Sequence, residues 1–208
     1  MKPSSGPGEV PWVSRGQALE GRTLRLEPLE ERHFQALWET ALDPVVWKWM
    51  PQNVLSQEHF SGVFRHLTES MAKGTMFSFA IFDKLSGRCA GSASYLNLDR
   101  VNRRVEIGYT WLSPQWQRTR ANTEAKYLLL RQAFEVMGCA RVEFKTDALN
   151  DKSRAALKRI GAKEEGTLRR HMVVQEGRIR DSVYFSILDS EWPAVKKDLE
   201  GKMAGSKG

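Results

Sequence analysis

The sequence of 208 residues lacks the features of secreted, membrane-spanning or cysteine-based proteins. Its two cysteines, Cys89 and Cys139, lie far apart and show neither metal-type nor redox spacing, which is typical of reduced core cysteines. No apolar run approaches the roughly 18 residues of a membrane span. The N-terminus has no apolar segment of the kind that a secretory signal needs. We therefore expect a cytoplasmic protein with no membrane partner.

Metal-binding patterns are also scarce. None of the four histidines has metal-type spacing with carboxylates, and two histidines seven residues apart rarely form a site. These histidines are His33, His59, His66 and His171. We therefore predict no metal.

The composition is that of a globular protein, with 41% hydrophobic and 27% charged residues. Residues 100–180 hold 18 basic and 9 acidic side chains, whereas the rest of the chain holds 14 basic and 16 acidic ones. This uneven charge favours either a polyanionic ligand on the basic part or a solvated basic face. The length predicts a single domain over residues 17–190, with a flexible N-terminal tail over 1–16 and a C-terminal helix and tail over 191–208.

Hydrophobic periodicity predicts a chain that mixes hairpins with one βαβ crossover. Strands are predicted at 23–29, 76–82, 89–96, 103–112, 141–147, 167–175 and 179–188. Helices are predicted at 31–42, 56–72, about 123–137, 151–160 and 190–203. This order indicates an α+β or mixed α/β fold with a mixed central sheet.

The segment 105–137 is the most informative part of the chain. Alternation on its strand places Val105, Ile107, Tyr109 and Trp111 on one face and Glu106, Gly108 and Thr110 on the other. A basic loop follows and opens a helix, whose amides and dipole can hold phosphate groups. Five polar residues stand at this helix start: Gln117, Arg118, Arg120, Asn122 and Thr123. Glu106 lies one strand length upstream, close enough to take part in chemistry.

This element order, with the loop Gln117-Arg118-Thr119-Arg120-Ala121-Asn122 and the continuation NTEAKYLLLRQAF, resembles the GCN5-related N-acetyltransferase (GNAT) superfamily. Within it, the chain is similar to the RimJ/RimL-like acetyltransferases of ribosomal proteins over roughly residues 20–190. The resemblance implies a mostly antiparallel twisted sheet of about six to seven strands flanked by helices. It also implies direct transfer of an acetyl group from acetyl-CoA, as cosubstrate, to a primary amine in a ternary complex.

The resemblance further implies which residues bind acetyl-CoA. They are Trp111, Leu112, Ser113, Gln117, Arg118, Thr119, Arg120, Ala121, Asn122, Thr123, Asn150 and Arg154, with the oxyanion held by amides around 111–113. The loop departs from the family pattern at positions 120 and 122, where the family has small residues that permit unusual backbone angles. Arg120 is expected either to pair with a phosphate or to point into solvent and weaken binding.

Glu106 is the predicted general base, acting through water, or else the partner of Arg103, Arg104 or a neighbouring arginine. The resemblance places Leu157 where the family often has a tyrosine that protonates the leaving thiolate. Ser153 is the hydroxyl left in reach, either as that acid or as a residue that bonds its own helical turn.

The resemblance implies an acceptor pocket on the side of the sheet that the first two helices cover. Four aromatic residues are its expected lining, or else packing residues: Trp38, Trp47, Trp49 and Tyr109. The acceptor is expected to be a protein N-terminus or a small-molecule amine. A basic ribosome- or nucleic-acid-binding module without activity is the alternative, although no RNA-reading aromatic motif appears and we expect no nucleic acid partner. A homodimer is compatible with the sequence.

Overall fold

The computed structural model describes residues 12–13 and 16–205, and within these residues eight strands form one sheet. Strands β1 to β8 are Leu19–Glu20, Leu24–Pro28, Met76–Asp83, Cys89–Asp99, Arg104–Leu112, Arg141–Asp147, Lys163–Val173 and Ile179–Leu188. They lie in the order β1-β2-β3-β4-β5-β6-β8-β7, and each neighbouring pair is antiparallel except β5 and β6. The mixed, mostly antiparallel sheet is confirmed. It has one strand more than expected because the two residues of β1 pair with β2.

Five α-helices flank the sheet. Helices α1 to α5 are Phe34–Thr40, Gln57–Ala72, Ala121–Arg131, Asp151–Arg159 and Trp192–Ala204. Ser56 caps α2, since its hydroxyl accepts the His59 N–H at 3.2 Å. Helix α3 continues as a wider π-helical turn over Gln132–Val136. This turn shifts the helical rotation, and Val136 at its end is exposed.

The strand register shows which helices cover which face. Trp111 pairs with Ser92 on β4, and Tyr95, three positions further along β4, points to the opposite face. The Trp111 indole donates to the Thr40 hydroxyl of α1 at 3.3 Å. The Tyr95 hydroxyl donates to the Leu129 carbonyl of α3 at 2.6 Å. Helix α1, with α2 packed against it, therefore covers one face and α3 the other.

Strands β5 and β6, which are parallel, pair over three residues and then separate. Their register ends where Glu106 meets Glu143, although β5 runs on to Leu112 and β6 to Asp147. We call the opening between 107–112 and 144–147 the wedge. It runs through the sheet between the α1–α2 face and the α3 face.

A bulge bends β5 beside the wedge. Its register moves from Gly108 opposite Ser94 to Trp111 opposite Ser92, which leaves Tyr109 and Thr110 opposite one residue. Tyr109 accordingly has a φ of 46°. The predicted alternation, with Ile107 and Trp111 on one face, is therefore wrong beyond Gly108. Trp111 lies on the α1–α2 face with Glu106, while Ile107 faces α3.

The first described residues and helix α5 pack near α3. Most of the expected tail over 1–16 lies outside the described residues, but the Trp12 indole donates to the Met137 carbonyl at 2.7 Å and Val13 is buried. Helix α5 follows β8 and contacts α3, where the Tyr127 hydroxyl donates to Glu200 at 2.7 Å.

Candidate active site

A cleft of about 740 Å³ surrounds the wedge. Its lining comes from the segment between α1 and α2, from strand β5, from the start of α3, from the end of β6 and from the start of α4. The predicted site residues in its lining are Trp49, Glu106, Tyr109, Trp111, Leu112, Gln117, Arg118, Asn122, Asn150 and Ser153. The other predicted residues, all in the described part of the chain, lie outside the lining: Trp38, Trp47, Ser113, Thr119, Arg120, Ala121, Thr123 and Arg154.

The loop before α3 takes its left-handed backbone at Arg118, where φ is 58°. Arg120 is right-handed with a φ of −67°, and Asn122 lies inside α3. Because neither position needs positive φ, Arg and Asn fit there without the strain that glycine would relieve. The Arg120 side chain turns to α5 and donates to the Met203 carbonyl at 3.3 Å, which is neither of its two expected arrangements.

The start of α3 retains anion-binding capacity. The Thr119 hydroxyl accepts the N–H of Ala121, the first residue of the helix, at 3.1 Å. The next two amides, of Asn122 and Thr123, belong to the first turn, where a helix supplies no internal acceptor. With the helix dipole and the nearby Arg118, these amides are suited to a phosphate group.

The backbone of Leu112 faces the wedge. The Ser113 N–H donates to the Ala90 carbonyl at 3.0 Å, so the adjacent pair of Leu112 and Gly91 is a non-hydrogen-bonded one. The Leu112 N–H and carbonyl therefore point away from β4, and the Gln117 side-chain amide donates to that carbonyl at 3.0 Å. Of the amides predicted to hold an oxyanion here, that of Leu112 has the suitable direction.

Glu106 is 3% exposed and lies on the face covered by α1 and α2. One carboxylate oxygen accepts the Asn97 side-chain N–H at 2.8 Å, and the Lys145 Nζ lies 3.7 Å from the same oxygen. Arg103 donates to a backbone carbonyl, and Arg104 pairs with other carboxylates. The expected alternative of an ion pair with Arg103 or Arg104 is therefore wrong, and the nearest cation is a lysine.

The start of α4 forms the far side of the cleft. The Asn150 side-chain oxygen accepts the Ser153 N–H at 3.1 Å and caps this helix. The Ser153 side chain and the buried Leu157 line the cleft. Arg154 instead reaches a backbone carbonyl at 3.4 Å and Glu164 at 3.6 Å, away from the cleft.

The predicted aromatic pocket is divided between cleft and core. Trp49 and Tyr109 line the cleft, whereas Trp47 is fully buried and Trp38 packs on Phe60. The Tyr109 hydroxyl is buried and has no hydrogen-bond partner in the described residues. Burial also raises the pKa of Tyr109.

Lys126 is a site residue that the sequence did not reveal. It lies on α3, one turn after Asn122, is 7% exposed and lines the cleft. Its Nζ donates to the Thr110 hydroxyl at 3.0 Å and lies 5.6 Å from the centre of the Phe144 ring. Burial lowers the pKa of Lys126 to about 7, and the Glu106 charge opposes this effect.

Both cysteines are buried. Burial raises the pKa of both thiols, Cys89 and Cys139, to about 12, so neither is an available thiolate at neutral pH. No group of three or more His, Cys, Asp and Glu in the described residues is arranged for a metal ion. None of the helices described here is long and apolar enough to cross a membrane.

Comparison with known proteins identifies the family. Residues 23–163 match the family described as Acetyltransferase (GNAT) domain, which covers more than half of the chain. The chain therefore belongs to the GNAT acetyltransferases and is an enzyme of that class.

Individual relatives agree with this assignment. A Bacillus subtilis protein, provisionally named ribosomal N-acetyltransferase YdaF, is 40% identical over 110 residues, which are 53% of this chain and 59% of that protein. A solved GCN5-related N-acetyltransferase from Brucella melitensis is 34% identical, with a TM-score of 0.87 over 94% of this chain and 88% of that one. RimJ of Mycobacterium smegmatis, solved with CoA-disulfide, shares the fold at 23% identity, with a TM-score of 0.75 over 86% and 89%. The resemblance to the GNAT superfamily is confirmed.

Proposed function

We propose that the protein transfers the acetyl group of acetyl-CoA to a primary amine by direct attack in a ternary complex. The wedge is the observation that carries this proposal. It opens through the sheet, with the start of α3 on one face and the buried Glu106 carboxylate on the other. A coenzyme arm from the first face and an amine at the second would meet there.

The cleft residues fit acetyl-CoA at two places. The Asn122 and Thr123 amides and the Arg118 side chain are suited to the pyrophosphate. The backbone of Leu112 faces the wedge like a strand edge, beside which an amide-containing arm can lie, and its N–H is left for the thioester carbonyl. The RimJ structure, which has this fold, was solved with CoA-disulfide and supports the same ligand class.

Acetyl-CoA supplies the acetyl group as a reactive thioester. Glu106 is suited to accept the amine proton through water, because it is buried and lies on the acceptor side of the wedge. The Leu112 N–H is suited to donate a hydrogen bond to the thioester carbonyl oxygen as negative charge develops on that oxygen. Alignment of the two reactants in the wedge can contribute about 7–11 kcal/mol.

We infer that the acceptor is the N-terminal amine of a protein, with a small-molecule amine as the alternative. The name of the B. subtilis relative supports the first choice. Trp49, Tyr109 and His66 line the cleft on the α1–α2 side, where the acceptor would enter. Family membership argues against a module without catalysis. The cytoplasmic location, the homodimer and the absence of a metal remain predictions.

Calorimetric titration with acetyl-CoA tests the first part of this proposal. A panel of N-terminal peptides, polyamines and aminoglycosides, assayed for thiol release, tests the acceptor. We expect Glu106→Gln to bind acetyl-CoA normally and to turn over about 10²–10⁴-fold more slowly. No binding at millimolar acetyl-CoA would overturn the proposal, and an unchanged rate would remove Glu106 from the mechanism.

A further inference from the structure

We propose that Lys126 is a catalytic residue that gives its ammonium proton to the coenzyme A sulfur as the acetyl group leaves. This inference rests on the proposed acetyl-CoA reaction. It adds a proton donor on α3 that neither the loop pattern nor the family resemblance indicates. The position of Lys126, its charge environment and the weakness of the other donors support it.

Lys126 reaches into the wedge from the α3 face. Asn122 and Lys126 stand four residues apart, so they lie on one side of the helix, and both line the cleft. The Lys126 Nζ is 3.0 Å from the Thr110 hydroxyl in the β5 bulge and 5.6 Å from the centre of the Phe144 ring on β6. Its ammonium therefore contacts both of the strands that separate, and lies opposite Glu106.

No carboxylate of the described residues contacts the Lys126 ammonium directly, although the Glu106 charge acts on it from across the cleft. Its hydrogen-bond partner is the neutral Thr110, and it forms no ion pair with a carboxylate of the described residues. The charged side chains around it in the cleft include Glu106 on β5 and Lys145 and Asp147 on β6, and Glu106 is already bonded to Asn97. A buried cation without a counter-ion is costly, and a thiolate in the wedge would supply that charge.

The proton transfers balance with residues of the cleft. As the acceptor nitrogen bonds to the acetyl carbon, the carbon–sulfur bond breaks and its electron pair stays on sulfur. The amine proton passes to Glu106, and Lys126 protonates the sulfur to give a neutral thiol. Lys126 then regains a proton from Glu106 or solvent. While coenzyme A is bound, the ammonium beside the sulfur lowers the pKa of the thiol. As the coenzyme leaves, the thiol regains its ordinary pKa of about 8.5 and keeps the proton, because burial favours the neutral Lys126 amine.

The other candidate donors are weaker acids. Leu157, at the position of the family tyrosine, carries no proton to give. The Ser153 hydroxyl is intrinsically far less acidic than an ammonium. Burial raises the pKa of the Tyr109 hydroxyl, which makes it a poorer donor. Lys126 is therefore the strongest acid of these residues in the wedge.

The pKa of the thiol of bound coenzyme A tests this role without turnover. Coenzyme A is bound to the wild type, to Lys126→Met and to Lys73→Met, and thiolate absorbance is followed against pH. Lys73 is an exposed lysine after α2, outside the cleft, and is the matched control. In the wild type and the control we expect the bound thiol to titrate at least about one pH unit below free coenzyme A, a tenfold effect. In Lys126→Met it should titrate at or above the free value.

The two proposals fail in different ways. If coenzyme A binds none of the three proteins, the proposed function is wrong. If it binds and its thiol titrates identically in the wild type and Lys126→Met, the role of Lys126 is wrong and the proposed function stands.

A second measurement needs no substitution of Lys126 in the tested protein. Nuclear magnetic resonance of the lysine side chains follows the Lys126 ammonium in the wild type, with Lys126→Arg used only for assignment. Coenzyme A should raise the pKa of Lys126 because the thiolate stabilises the ammonium, whereas desulfo-coenzyme A should raise it much less. An equal effect of both ligands would overturn the proposal.

Discussion

Two buried charged side chains lie two residues apart on α3, and their surroundings differ sharply. Glu124 is 4% exposed and accepts hydrogen bonds from the Thr23 N–H at 2.8 Å, the Thr23 hydroxyl and the Leu24 N–H at 3.2 Å. Lys126 is 7% exposed and donates to the neutral Thr110 hydroxyl. Glu124 thereby ties α3 to the first strands of the sheet, whereas Lys126 faces a cleft.

This difference indicates a structural role for Glu124 and a role in the reaction for Lys126. A buried charge with three donors is compensated, and its removal leaves amides without partners. A buried charge with one neutral partner costs folding free energy that the fold does not recover. Such a cost is expected where a side chain serves the reaction, as we propose for Lys126. Substitution of Lys126 should therefore slow turnover without loss of stability, whereas substitution of Glu124 should reduce stability without slowing turnover.

The largest effect is expected on turnover at Lys126. Lys126→Met should slow acetyl transfer by about 10²–10⁴-fold with little change in acetyl-CoA affinity, because it removes an acid and not a binding group. Lys126→Arg should also be slow, since its guanidinium keeps the charge but does not release a proton. Steady-state kinetics and calorimetry check both, with Lys73→Met as the control. If Lys126→Met turned over at the wild-type rate, Lys126 would have no role in acetyl transfer.

Glu124→Ala should instead reduce stability. It removes the acceptor of the buried Leu24 amide and of the Thr23 amide and hydroxyl, so we expect a loss of about 1–3 kcal/mol in the free energy of unfolding. Urea titration measures this loss. Turnover per folded molecule should stay near that of the wild type. Slow turnover with normal stability would place Glu124 in the reaction and contradict its structural role.

Lys126→Met should stabilise the protein in a pH-dependent way. Burial lowers the pKa of Lys126 from 10.5 to about 7, so between these values the unfolded chain binds more protons than the folded one. Wild-type stability therefore rises with pH across this window, and the Met variant lacks that rise. We expect a gain on the order of 2 kcal/mol below pH 7 that shrinks toward zero near pH 10. Urea titrations at pH 6, 8 and 10 test the sign, and a gain that grows with pH would contradict it.

Gly21→Ala tests how firmly Glu124 is held. A Cβ at position 21 would lie 2.2 Å from a Glu124 carboxylate oxygen and 3.0 Å from the Leu128 side chain. Because hydrogen bonds fix that carboxylate, we expect a loss of about 1–2 kcal/mol. In a Glu124→Ala background the same change should cost much less. Equal costs in both backgrounds would show that Glu124 is free to move.

Local patterns predicted most elements of this fold. Strands β6 and β8 have the predicted bounds, because alternating apolar residues between turn segments define them. Strand β7 begins four residues earlier than predicted, since its exposed edge segment over 163–166 has no apolar alternation. The position of the bulge, at Tyr109 and Thr110, depends on pairing with β4, which no local pattern encodes.

The sequence predicted those parts of the candidate site that depend on a single strand or loop, and missed those that depend on contacts between elements. Alternation on β5 is enough to find Glu106, and the loop before α3 is visible from its charge. Lys126 looks like an ordinary helix lysine, and only the separation of β5 from β6 gives it a cleft to face. Arg120 was equally undetermined, since its partner is the Met203 carbonyl, 83 residues away.

The smallest expected effect concerns the two arginines of that loop. Arg118 lines the cleft, whereas Arg120 contacts α5, so charge in the loop should matter only at Arg118. Arg118→Met should weaken acetyl-CoA binding by about tenfold, the scale of one charge-assisted hydrogen bond. Arg120→Met should change the affinity by less than about twofold, well under 1 kcal/mol. Calorimetry of both variants decides the matter. A larger loss at Arg120 would mean that its side chain leaves α5 to meet the coenzyme phosphates.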